Sequence, residues 1–294
     1  MTHATKRDHW SAIASIWQQV GVPLRPSSDD IGFILDEVAQ WSDRKGPPRV
    51  LIMGVTPELH DLAWPDGTRL LAVDHTLGMI QAVWPGYPGT ALCADWRSLP
   101  FREASWDMVV CDGGVTLVDY PSGHIALVET LARVIASGGL CVLRLFTPSR
   151  DPEDSHLVLD ELLEGKIANL NLLKLRLGMA LQHSATEGIA VSDVWNAIHR
   201  AVPDFERLAE GIGWPLEHLL AINSYRDSPN RYNFLSVEQV TELFCTDPGG
   251  FQLKRLRVPE YELGDRCPTI VLERVDDSGA IQQRPLTGSS SPLR

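Results

Sequence analysis

The stretch Val50-Leu51-Ile52-Met53-Gly54-Val55-Thr56-Pro57-Glu58-Leu59, followed by Leu70-Leu71-Ala72-Val73-Asp74, decides the fold of this 294-residue chain. A short apolar run ends on a glycine and passes into a helix start, and a second apolar run ends on an acid twenty residues after that glycine. This is the opening βαβ unit of a doubly wound sheet, with the acid where a ribose hydroxyl pair binds. The loop lacks the second and third glycines that let backbone approach a pyrophosphate. A nucleoside without phosphates therefore suits this turn better than a dinucleotide.

Outward from this unit, strands and helices alternate between Arg49 and Phe146. Strands are expected at 49–54, 69–74, 90–93, 106–112 and 138–146, and helices at 57–63, 76–83 and 123–136. Runs such as Met108-Val109-Val110-Cys111 and Leu140-Cys141-Val142-Leu143 are apolar throughout, as strands buried on both faces must be. Ser137-Gly138-Gly139 reads as the stop of the third helix. Two amphipathic helices precede the core. Trp10, Ile13, Trp17 and Val20 share one helical face, and Ile31, Ile34, Leu35, Val38 and Trp41 share another. Ser27 with Asp30 is a capping-box pair for the second helix, which Gly46-Pro47-Pro48 ends.

The expected organisation is N-terminal helices over 1–48, a nucleoside-binding core over 49–146, and a helical insertion over 147–235. A last helix and closing strand pair follow over 236–275, then a disordered tail over 276–294. The insertion is Leu-rich at helical spacing from Asp151 to Leu181 and carries further helical segments from Val191 to Ala221, cut by Pro203 and Pro215. An insertion of this size is expected to cover the carboxyl ends of the strands, where ligands bind. Ser236 is the N-cap of the last helix, and 251–258 and 268–275 read as two paired strands.

The formal net charge of -12 argues against a nucleic-acid or anionic-membrane partner, which would ask for a basic face, and no long run of Lys or Arg suggests a local one. No apolar stretch approaches the roughly 18 residues of a membrane span, and Met1 to Asp8 has no signal-peptide core, so a cytoplasmic location is expected. The five cysteines are scattered singly, without CxxC or Cys/His pairing. They read as small buried hydrophobes in a reducing compartment, and no metal site is expected.

Residues 49–146 and the closing strand pair resemble a class I S-adenosylmethionine (SAM)-dependent methyltransferase. The resemblance implies a doubly wound α/β fold with a seven-stranded, mostly parallel sheet, whose antiparallel last strand pairs with the sixth as a hairpin. Gly54 matches the first glycine of the family's loop, Asp74 the acid that holds both ribose hydroxyls, and Asp95 the acceptor for the adenine amino group. The run Leu99-Pro100-Phe101 to Trp106-Asp107-Met108-Val109-Val110-Cys111-Asp112 is similar to a family passage that leads to the methionine end of the cofactor, beside Asp112 and Gly113. The usual GxGxG reads Gly54-Val55-Thr56-Pro57-Glu58 here, with Thr56 as a candidate N-cap and Pro57 at the first helical position. The implied cofactor set is Gly54, Thr56, Glu58, Asp74, His75, Asp95, Trp96, Asp112 and Gly113. No Asn/Asp-Pro-Pro-Tyr/Phe motif follows the fourth strand, which opposes adenine or glutamine-amide methylation of that type.

Each residue also has a plainer role. Asp74 and Asp112 suit strand-end caps, Asp95 a turn, and Trp96 either an adenine wall or packing. His124, at a helix start, is the candidate general base, and Asp112 the candidate group at the reacting end. Arg144, inside an apolar strand, is placed to meet a carboxylate of substrate or of protein. Tyr225, Arg231 and Tyr232 belong to a polar cluster that closes the insertion and reads as a lid over substrate or as an ordinary loop. The expected activity is SAM-dependent methyl transfer to an oxygen, nitrogen or carbon nucleophile of a small molecule, with a homodimer left open. The alternative is a SAM-binding regulatory or scaffolding protein. A nicotinamide dehydrogenase would need the GxGxxG that 54–59 lacks.

Overall fold

A computed structural model describes residues 9–246 and 249–275, so the tail expected over 276–294 lies outside the described residues. In chain order the elements begin with α1 (His9–Ser15), α2 (Ser28–Lys45), β1 (Arg49–Met53), α3 (Pro57–His60), β2 (Arg69–Asp74), α4 (Leu77–Val83) and β3 (Ala91–Cys93). Next come β4 (Trp106–Asp112), α5 (Ser122–Val134), β5 (Ile135–Arg144), α6 (Ser155–Leu163), α7 (Leu170–Leu181) and β6 (Ile189–Ala190). The remainder is α8 (Val191–Ala201), α9 (Phe205–Ile212), α10 (Leu216–Leu220), β7 (Arg231–Tyr232), α11 (Val237–Cys245), β8 (Phe251–Arg257) and β9 (Thr269–Arg274). Seven strands form one sheet in the order β3-β2-β1-β4-β5-β9-β8. All neighbours are parallel except at β9, which runs antiparallel to both β5 and β8. This is the topology that the family resemblance implies.

Alternation along the strands feeds two cores. Leu51, Met53, Val109, Cys111, Cys141 and Leu143 pack on one face with residues of α5 and α11. Val50, Ile52, Met108, Val110 and Val142 pack on the other with residues of α2 and α4. A third core joins the N-terminus to the insertion, where Ile13 and Val20 meet Leu173, Leu177, Ile198 and Ile222. The capping boxes Ser27/Asp30 and Ser236/Gln239 both form at their helix starts.

Several boundaries differ from the sequence reading. The helix expected at 57–63 is a single turn, and Thr56 at its N-cap makes no side-chain cap bond. The first N-terminal helix stops at Ser15 and continues as a 3-10 turn over Trp17–Gln19. The helix expected at 123–136 ends at Val134, and the chain enters β5 directly at Ile135. Gly138-Gly139 is thus a bulge inside a strand and not a helix stop, and the register against β4 shifts across it from Trp106↔Ile135 to Met108↔Leu140. Gly138 has φ +69°, and a Cβ on Gly139 would stand 2.7 Å from the Asp107 carbonyl oxygen. The Leu-rich run is two helices, and the two-residue pair β6–β7 was not foreseen. No described helix is long and apolar enough to cross a membrane.

Candidate cofactor and substrate site

The carboxyl ends of β1, β2 and β4 open into one cavity of about 1070 Å³, its open mouth included. At the end of β1, the Gly54 N–H donates to the Val73 carbonyl at 2.8 Å, and its φ of +97° is one that L side chains rarely adopt. Among the described residues, none beyond its two chain neighbours comes within 4 Å of where its Cβ would stand, so bare backbone faces open space. At the end of β2, Asp74 lines the cavity, and its Oδ1 accepts from the Thr76 N–H at 2.8 Å, at the start of α4. The exposed His75 stands beside it, with Nδ1 3.8 Å from that oxygen. Asp74 therefore serves as a local cap and presents a carboxylate to the cavity.

Beyond β4 the packing is tight. Gly113 has φ +64° and its N–H donates to the Arg144 carbonyl at 2.9 Å, while a Cβ there would overlap the Phe146 ring. A Cβ on Gly114 would stand 2.6 Å from Cys111 Sγ and 2.9 Å from the Trp96 ring. Gly113→Ala should therefore destabilise the fold by about 1–3 kcal/mol through overpacking and strained φ, as measured by denaturant unfolding. A loss below about 0.5 kcal/mol would show that Phe146 yields at little cost.

Arg144 is fully buried and does not line the cavity. Its Nη1 donates to Asp112 Oδ1 at 2.6 Å, and its Nε lies 3.3 Å from Asp30 Oδ2. Its Nη2 donates to the Pro23 carbonyl at 2.6 Å and to the Tyr261 hydroxyl oxygen at 3.0 Å. Tyr261 in turn donates to Asp30 at 3.0 Å, as do the N–H and hydroxyl of Ser27 at 2.8 Å. Burial pushes the Asp112 carboxyl upward, and the Arg144 guanidinium opposes that push. The arginine thus meets carboxylates of the protein, tying α2 to the ends of β4 and β5. Asp30 was legible as a cap residue but not as the partner of Arg144.

Trp10, Ile13, Trp17 and Val20 roof the cavity from the N-terminal side, Lys174 and Leu175 from α7, and Tyr225, Tyr232 and Phe234 from the end of the insertion. His9 Nε2 lies 3.3 Å from the Tyr232 hydroxyl. Burial pushes the Tyr225 phenol up to about 12 and the Tyr232 phenol well above its ordinary value, so both stay protonated. The sequence reading did not single out His9, the α1 stripe or Lys174 for this site. Two tryptophans on one face ahead of the core were the available signal.

Other candidates sit elsewhere. Glu58 pairs with Arg25 at 2.7 Å. Asp95 lies with Trp96 and His75 on an adjoining pocket, where hydrogen bonds from Arg97 hold its carboxyl below the usual range. Trp96 lines both pockets, and its Nε1–H donates to the Val73 carbonyl at 2.7 Å. His124 is buried, with Nδ1 3.0 Å from the Asp119 carbonyl oxygen, and burial lowers its pKa. The exposed Arg231 donates to the Glu187 carbonyl at 2.9 Å.

Residues 54–143 match a family model described as a methyltransferase domain. Comparison with curated proteins finds no match. Among solved structures, one from Rhodobacter sphaeroides, assigned as a candidate Zn-dependent alcohol dehydrogenase, superposes with TM-score 0.58 at 14% identity, over 90% of this chain and 97% of that one. Among the described residues here, no group of three or more His, Cys, Asp or Glu side chains is placed to hold a metal ion. The CurJ carbon methyltransferase gives TM-score 0.51 at 11% identity, over 90% of this chain and 61% of that one. The N-methyltransferase NodS from Bradyrhizobium japonicum, solved with S-adenosyl-L-homocysteine (SAH), gives 0.47 at 9% identity, over 90% and 100%. At these identities the likeness is one of fold. Residues 54–143 thus match a methyltransferase domain, on a sheet with the class I methyltransferase strand order and a cavity-facing acid closing its second strand.

Proposed function

We propose that the chain methylates an oxygen, nitrogen or carbon nucleophile of a small molecule enclosed in this cavity. The observation that carries the reading is the cavity's extent, which runs from Asp74 past Gly54 and Gly113 to an apolar roof of Trp10, Trp17, Leu24 and Phe146. Its lining comes both from the sheet edge and from the roof, as a site shared by cofactor and acceptor requires. The residues present suit the cofactor: Asp74 offers a carboxylate to the ribose hydroxyls, Trp96 a wall for the adenine, and Gly54 bare backbone for close approach. When bound, SAM supplies an electrophilic sulfonium methyl. The protein's part is alignment and exclusion of water, performed by the roof helices and by the Asp112–Gly113 turn that Arg144 fixes. Tyr225, buried, and Tyr232, half-buried, both on the cavity wall, orient the acceptor. All five cysteines are free thiols, which suits a reducing compartment.

Tyr225→Phe and Tyr232→Phe should impair turnover or acceptor KM while leaving SAM affinity within about threefold. A matching loss of SAM affinity would place these phenols on the cofactor. The acceptor class is tested by SAH release from fractionated cell extract. Release with the small-molecule fraction supports the reading, whereas release only with the protein or RNA fraction contradicts it.

A further inference from the structure

Lys174 sits in the first half of α7, a helix buried on most of its sides, and is itself 5% exposed where it lines the cavity. Its Nζ stands 4.7 Å from the centre of the Tyr225 ring, and both residues line the cavity. Among the described residues it has no hydrogen bond and no ion pair. Burial alone lowers its pKa to about 8, with no carboxylate offsetting the loss of water. An amine so placed costs stability, and the ring below repays only part of that cost. The acids that line the same cavity have other partners: Asp112 pairs with Arg144, while Asp74 caps α4 beside His75. Among the described residues, Lys174 is thus a buried cation of the cavity wall without a paired counter-charge, and Trp10, Trp17, Leu175, Phe146 and Phe234 line the same cavity.

We propose that Lys174 selects the methyl acceptor, a small molecule with an apolar body and one anionic group that pairs with the Lys174 ammonium over Tyr225. The proposal rests on the methyl-transfer reading of the cavity. An incoming anion supplies the missing counter-charge in a site of low dielectric, where such a pair is strong. The apolar body displaces water from the tryptophan-rich wall. A neutral analogue of the same shape gains the second contribution only.

Two fluorescent probes separate the contributions. 8-Anilino-1-naphthalenesulfonate and N-phenyl-1-naphthylamine share one aromatic body and differ by a sulfonate. On the full chain saturated with SAH, the sulfonate should bind at least about tenfold more tightly than the neutral amine. Lys174→Met should weaken sulfonate binding by about tenfold or more, leaving the neutral probe and SAH within about threefold. The methionine replaces an unpaired buried amine with an apolar chain of similar length, so the variant should melt no lower than the wild type. Lys174→Gln, uncharged but polar, should show the same selective loss. Equal binding of the two probes by the wild type, or undiminished sulfonate binding in both variants, overturns the proposal. So does a tenfold loss of SAH affinity in the variants, which would assign the lysine to the cofactor's own carboxylate. If the wild type fails to bind SAH, the methyl-transfer reading falls, and the same probe comparison without SAH still decides the anion site.

Discussion

Arg144→Met should lower the unfolding free energy by roughly 3–5 kcal/mol, the largest stability loss expected from any single change at the site. The substitution keeps the volume of the side chain's stem but leaves Asp112 and Asp30 buried without their cation. Breaking such a network from one side costs far more than the network contributes, because the remaining charges stay out of water. The exposed pair Arg150–Glu238 is the control, and its removal should change stability by less than about 1 kcal/mol. Guanidinium unfolding curves for both variants check the contrast. A loss under about 1 kcal/mol for Arg144→Met would mean that Asp112 and Asp30 find water or a proton cheaply.

Asp74→Ala should weaken SAM binding roughly 10–100-fold, equivalent to about 1.5–3 kcal/mol, because a carboxylate accepting from two hydroxyls makes charge-assisted bonds. Its structural duty is smaller. Losing the bond from the Thr76 N–H should cost about 1 kcal/mol of stability, so the variant should remain folded. Asp74→Asn separates the two roles, since asparagine caps as well as aspartate but lacks the charge. It should restore the stability and recover only part of the affinity. Calorimetric titration of folded variants checks this, and unchanged affinity in both would remove Asp74 from the cofactor site.

The features legible in the sequence are those written locally. The run into Gly54 and the acid at Asp74 announce a βαβ unit through periodicity and turn chemistry, and Ser27/Asp30 and Ser236/Gln239 announce helix starts three residues in advance. Gly138-Gly139 misled because a glycine pair after a helical run marks a helix stop as readily as a bulge. Only the close pass of the Asp107 carbonyl, from another strand, decides between them. The partners of Arg144 lie at Asp30, Asp112 and Tyr261, far apart in the chain, and no spacing rule reaches across that distance. Lys174 was hidden in a leucine stripe that reads as packing, and most of that helix is indeed buried. The roof over the site was legible as helices but not as a roof, because α1 is seated both on α4 and on an insertion some 160 residues further along the chain. Glu58, His124 and Arg231 bond to Arg25, Asp119 and Glu187, and none of the three lines the cavity, which residue type alone does not foretell.

The proposed reaction requires one cavity at the carboxyl edge of the sheet to hold SAM beside a small acceptor. A crystal structure of the full chain with SAH tests it most directly. The account predicts the ribose hydroxyls on Asp74, the adenine toward Trp96, and unfilled space on the side of Lys174, Tyr225 and Tyr232 where an acceptor enters. SAH bound outside this cavity, or filling it through to Lys174 with no room beyond, would contradict the account.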